Sequence, residues 1–65
     1  MITVRLEPGG EVKTFDRLNT VHQLLNRLGL RFTEALVIRD GRLLTQDLKL
    51  KQGDAITVRV VTSAG

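Results

Sequence analysis

Few of the 65 residues carry side chains able to make or break a covalent bond. The chain has no cysteine, which excludes a thiol nucleophile and a side-chain persulfide carrier. His22 is the only histidine, and the one serine that follows it, Ser63, lies close to the end of the chain, so no serine–histidine–acid relay is indicated. Alone, His22 also falls short of the three or four ligands of a metal centre, and no metal is expected. Asp16, Asp40, Asp47 and Asp54 read as turn or cap residues, with no spacing that forces carboxylates together. Gly9 and Gly10 lack the strand–GxxxxGK–helix setting of a phosphate loop. The chain is therefore not expected to be an enzyme. The group left is the carboxyl of Gly65, at the end of the uncharged stretch Thr62, Ser63, Ala64, Gly65. A carboxylate is a poor acyl donor until ATP converts it to an acyl-adenylate. A sulfur or amine nucleophile can then displace the nucleotide through a tetrahedral intermediate. Small residues suit this role, because they lose little side-chain entropy on entering a narrow groove and glycine, lacking a Cβ, leaves the carbonyl unhindered.

The elements that would present such a tail are legible as periodicities. Ile2, Val4 and Leu6 alternate with Thr3, Arg5 and Glu7, the pattern of a half-buried strand. Glu7-Pro8-Gly9-Gly10 is a turn, and Glu11 to Phe15 completes a hairpin. Val21, Leu24, Leu25 and Leu28 form one helical stripe. Thr20 is placed to cap its start, with Gln23 completing a capping box, and Gly29 and Leu30 to close its end. Ala35 to Arg39 reads as a third strand, Asp40-Gly41 as a hairpin turn and Arg42-Leu43-Leu44 as a short fourth strand. Leu48 and Leu50 are candidate core anchors in an irregular stretch. Ala55 to Val61 is the last strand, with Ile56, Val58 and Val60 on one face. The order β-β-α-β-β-β predicts an α+β fold, a mixed sheet of four to five strands around one helix. Its first and last strands should run parallel in the centre. Residues 1–61 would form the domain and 62–65 a flexible tail.

Composition narrows the partners. A chain this short has a thin stability margin, and here it rests on aliphatic packing, with Phe15 and Phe32 as the only aromatics. Too few aromatics remain to stack single-stranded nucleic acid. The net charge of +3 comes from ten basic and seven acidic residues, and the seven arginines are spread along the sequence. That balance is compatible with a nucleic acid, with an acidic protein partner or with a plain solvated surface, and without a stacking platform a nucleic acid is not expected. No apolar run approaches a membrane span and no signal peptide is evident, so a cytoplasmic monomer is expected.

The capped helix, the Asp-Gly hairpin, the stretch Leu48-Lys49-Leu50-Lys51-Gln52-Gly53-Asp54 and the β-rich end leading to Gly65 together resemble a known family. It is that of the small sulfur-carrier proteins of thiamin and molybdopterin synthesis and related ubiquitin-like modifiers. The resemblance spans essentially the whole chain and implies a ubiquitin-like β-grasp fold. It also implies that an E1-like enzyme using ATP adenylates Gly65, which becomes a thiocarboxylate. A sulfur-accepting enzyme would then direct the sulfur to a cofactor precursor or to tRNA, and conjugation to lysines is a further role of some members. No cofactor would be bound by the chain itself. Ala64 departs from the two terminal glycines usual in the family.

The family docks its partners on the exposed sheet face near the tail. By strand alternation that face should here carry Arg5, Thr57, Arg59 and Val61. The opening Ile2-Thr3-Val4-Arg5-Leu6 and the helix also resemble the TGS domains of some synthetases and GTPases. The alternative they imply is a stand-alone β-grasp module that binds RNA or a protein.

Overall fold

The computed structural model describes residues 1–61 of the chain. Five strands and one helix follow one another: β1 (Ile2–Glu7), β2 (Glu11–Phe15), α1 (Val21–Leu28), β3 (Ala35–Arg39), β4 (Arg42–Leu43) and β5 (Ala55–Val60). The strands form one mixed sheet in the order β2-β1-β5-β3-β4. β1 and β5 run parallel at its centre, with Val4 opposite Ile56 and Leu6 opposite Val58. The other pairs are antiparallel.

The core forms where the helical stripe meets one face of this sheet. Val21, Leu24 and Leu25 are buried with Ile2, Val4, Val37, Ile56 and Val58, and Leu18, Leu44 and Leu50 close the margins. Leu28 and Leu48 pack against the core but stay partly exposed. Val60 is only half-buried, so the last fully buried residue of the final strand is Val58. The strand itself stops at Val60, one residue before the expected end. Val61 still donates its N–H to the Glu34 carbonyl, which holds it in place beyond the strand.

Both helix ends follow the local sequence, with one shift. Thr20 Oγ1 accepts the Gln23 N–H, as an N-cap should. The Gln23 side chain, however, reaches past Thr20 to accept the Asn19 N–H at 2.8 Å. Thr20 is engaged in a bridge to Lys49, flanked by bonds from Val21 N–H to the Leu48 carbonyl and from Leu50 N–H to the Asn19 carbonyl. His22 N–H bonds to the Gln46 carbonyl. The first helical N–H groups, which no helix can satisfy internally, therefore find partners in the 45–50 segment. At the far end Gly29 has φ 72°, and Leu30 N–H returns to the Leu25 carbonyl, closing the helix in a Schellman motif.

Two turns differ in how far the sequence announces them. Asp40 (φ 54°) and Gly41 (φ 75°) have the paired positive φ values that a two-residue hairpin demands. The short 3₁₀ turn Phe32–Glu34 has no such signature, and the sequence reading does not contain it. Its start is held by Glu34 Oε1, which accepts the Arg31 N–H. The fourth strand is limited to Arg42 and Leu43, while Leu44 turns into the core, its N–H bonded to the Val37 carbonyl.

Asp54, read from sequence as a turn residue, is also half of an ion pair. Its Oδ2 accepts the Lys51 N–H at 2.8 Å and an Arg39 guanidinium N–H at 2.8 Å. The Lys51 bond foremost, and Arg39 with it, hold the carboxyl below the usual carboxylate range against the upward push of burial. A depressed folded value means that the stabilisation is present above the unfolded value of about 4 and is lost as pH falls through the folded one. Asp54→Asn is thus expected to lower the urea midpoint at neutral pH, with the gap to the parent chain closing in acid. A gap unchanged by acid would assign the loss to geometry instead of charge.

Candidate partner-docking face

The sheet has a second face, opposite the helix, and the strand register assembles it row by row. One row crosses all five strands: Val12 opposite Arg5, Arg5 opposite Thr57, Thr57 opposite Ile38, Ile38 opposite Leu43. The next row carries Glu7, Arg59 and Leu36. Of the residues expected here, Arg5, Arg59 and Val61 are exposed and Thr57 is half-buried. Arg5 and Thr57 are direct neighbours, and Arg59 stands one row further toward Val61. Thr62, Ser63, Ala64 and Gly65, the remaining residues of that expectation, lie outside the described residues.

This face is more apolar than strand alternation on β1 and β5 suggests. Leu43 is 67% exposed, Val12 58%, Val61 49% and Leu36 41%, and Ile38 is half-buried between Thr57 and Leu43. The missed signal is Ala35-Leu36-Val37-Ile38, an unbroken apolar run. Ala35 and Val37 go to the core, so the same strand necessarily turns Leu36 and Ile38 outward. At the β3–β4 edge, Phe32, Leu36, Leu43 and Leu44 line a small groove of about 100 Å³ floored by Ala35 and Val37.

The charges are arranged around this apolar surface. Among the described residues the ion pairs are Arg39–Asp54 and the long, exposed Lys13–Glu11 contact at 3.8 Å. Arg5 and Arg59 have no carboxylate within 4 Å among those residues, although Glu7 is the register neighbour of Arg59. Guanidinium groups beside exposed leucines make a surface suited to a partner with acidic and apolar side chains.

His22 is exposed on the helix, and among the described residues no group of three or more His, Asp or Glu is placed to hold a metal ion. No helix among them is long and apolar enough to cross a membrane. The chain matches no protein-family model and no curated protein sequence.

Proposed function

We propose that the chain is a ubiquitin-like β-grasp carrier, similar to the small sulfur-carrier proteins, and that Gly65 is its acyl terminus. An E1-like enzyme adenylates that glycine with ATP, releasing pyrophosphate, and a sulfide-level nucleophile attacks the acyl carbon and expels AMP, which carries off one carboxyl oxygen and leaves a thiocarboxylate. A second enzyme, docked on the same sheet face, then takes the sulfur for a cofactor precursor or for tRNA. The observation that supports this reading best is the placement of the last strand. β5 runs in the sheet centre, parallel to β1, and delivers Val61 to the rim of the basic and apolar face. A partner seated on Arg5, Arg59, Leu36 and Leu43 would meet the chain at Val61. The test is to supply an E1-like enzyme, ATP and a sulfur donor, then measure the intact mass. Replacement of one oxygen by sulfur is expected, and an unchanged mass under conditions that convert a control carrier would overturn the reading.

The docking face gives its own expectation. Leu36→Asp and Leu43→Asp change side chains outside the core, in strands where Asp is disfavoured, so each should cost about 1 kcal/mol of stability, small beside a core truncation. Affinity for the activating enzyme should fall roughly tenfold or more, the effect of losing an apolar anchor at an interface. Titration calorimetry of each variant with the enzyme reads this directly. Unchanged affinity in both variants would remove the face from the mechanism.

A further inference from the structure

Away from the docking face, a cleft of about 300 Å³ opens where the β2–α1 connection meets the helix, and it is lined by Arg17, Leu18, Gln23, Asn26 and Arg27. Gln23, Asn26 and Arg27 stand at i, i+3 and i+4 on one side of α1, and Arg17 faces them from the connection. No carboxylate belongs to the lining, and among the described residues neither arginine has one within 4 Å. The amide of Gln23 has a defined sense: its Oε1 is occupied by the Asn19 N–H, which leaves Nε2 as the group free to donate into the cleft. The connection is pinned on both sides of Arg17. Gln52 Nε2 donates to the Asp16 carbonyl at 2.8 Å, Leu50 N–H donates to the Asn19 carbonyl at 2.8 Å, and Leu18 is buried between them.

From this arrangement we infer that the cleft binds a phosphate monoester. Two arginines and two carboxamide side chains line it, all able to donate, and guanidinium matches phosphate oxygens two at a time. The pinned connection means that its backbone needs little ordering before a ligand binds, so the ordering cost falls on the exposed side chains. Leu18 offers an apolar wall to whatever carries the phosphate. The volume lies at the lower end of the range for small-molecule sites, larger than a bare oxyanion requires. Among the described residues the site shares none with the docking face, and it does not draw on acyl chemistry at Gly65, so it stands or falls separately from the proposed carrier role. The same phosphate chemistry could be offered by a free nucleotide or by the 5′ end of a nucleic acid strand.

The test is an NMR titration of the isotope-labelled full chain with inorganic phosphate, with sodium chloride adjusted to hold ionic strength constant. Saturable shifts are expected at the side-chain amides of Gln23 and Asn26 and at the Nε–H of Arg17 and Arg27. Arg17→Ala and Arg27→Ala should each weaken binding roughly ten- to hundredfold, the effect of losing a charged hydrogen-bonding partner. Both side chains are exposed, so the thermal midpoint of each variant should match the parent. Parallel titrations with AMP, and with a 5′-phosphorylated oligonucleotide against its 5′-hydroxyl counterpart, separate the two sources. Tighter binding of AMP than of inorganic phosphate supports the free ester, and discrimination between the two oligonucleotides supports the strand end. Shifts that do not saturate, that chloride alone reproduces, or that persist unchanged in both arginine variants would overturn the inference.

Discussion

Leu25→Ala is expected to cost on the order of 2–5 kcal/mol, measured as the change in urea unfolding free energy. Leu25 is 2% exposed and sits in the middle of the helical stripe, against the sheet residues that form the core. Truncation removes apolar surface from burial and leaves a cavity that neighbours such as Leu24 and Val4, themselves fully enclosed, fill only in part. The magnitude is large relative to the whole. A chain of this length has a net stability of roughly 3–10 kcal/mol, so the variant should lose a large share of the whole. Leu36→Ala, on the outer face of the same sheet, is the control and should fall well below this range. A loss of less than about 1 kcal/mol for Leu25→Ala would mean that the helix is not held to the sheet by this stripe.

Deleting Gly65 is expected to abolish thiocarboxylate formation while leaving the thermal midpoint unchanged. Among the described residues the core draws on side chains from Ile2 to Val58, and the backbone hydrogen bonding extends to Val61. The chemistry has the opposite dependence, since the proposed acyl donor is the Gly65 carboxyl itself. Intact-mass measurement after incubation with the activating enzyme, beside a calorimetric melt, reads both quantities on one sample. Residual conversion in the deleted chain would show that the terminal residue need not be Gly65. A lowered midpoint would show that the tail contributes to the body, and would separate fold and reactivity less cleanly than proposed. Gly65→Ala is the graded version, and any loss of conversion there measures how far a methyl group hinders the carbonyl.

Strand alternation in β1 and β5 and the 3.6-residue stripe of α1 are patterns of local chemistry. Each names its own buried face before any partner is known, and Ile2, Val4, Val21, Leu24, Leu25, Ile56 and Val58 are all buried accordingly. The Asp40-Gly41 turn and the Gly29 cap belong to the same class, because positive φ is a property of a residue and its nearest bonds. The proposed acyl role of Gly65 is likewise a matter of covalent chemistry at one residue.

Other features depend on residues far apart in the chain. Gln23 takes the Asn19 N–H at a helix start that the 45–50 segment crosses, bonding to Asn19, Val21 and His22, contacts that no local pattern around Thr20 encodes. Asp54 meets Arg39 only once β3 and β5 lie side by side. The apolar character of the docking face arises in the same way. Leu36, Ile38 and Leu43 join Arg5 and Thr57 through pairings with residues well separated in sequence. The cleft between Arg17 and α1 likewise needs Gln52 and Leu50 to pin the connection. Periodicity tells a side chain which way to face, and only tertiary pairing tells it which neighbour it will find there.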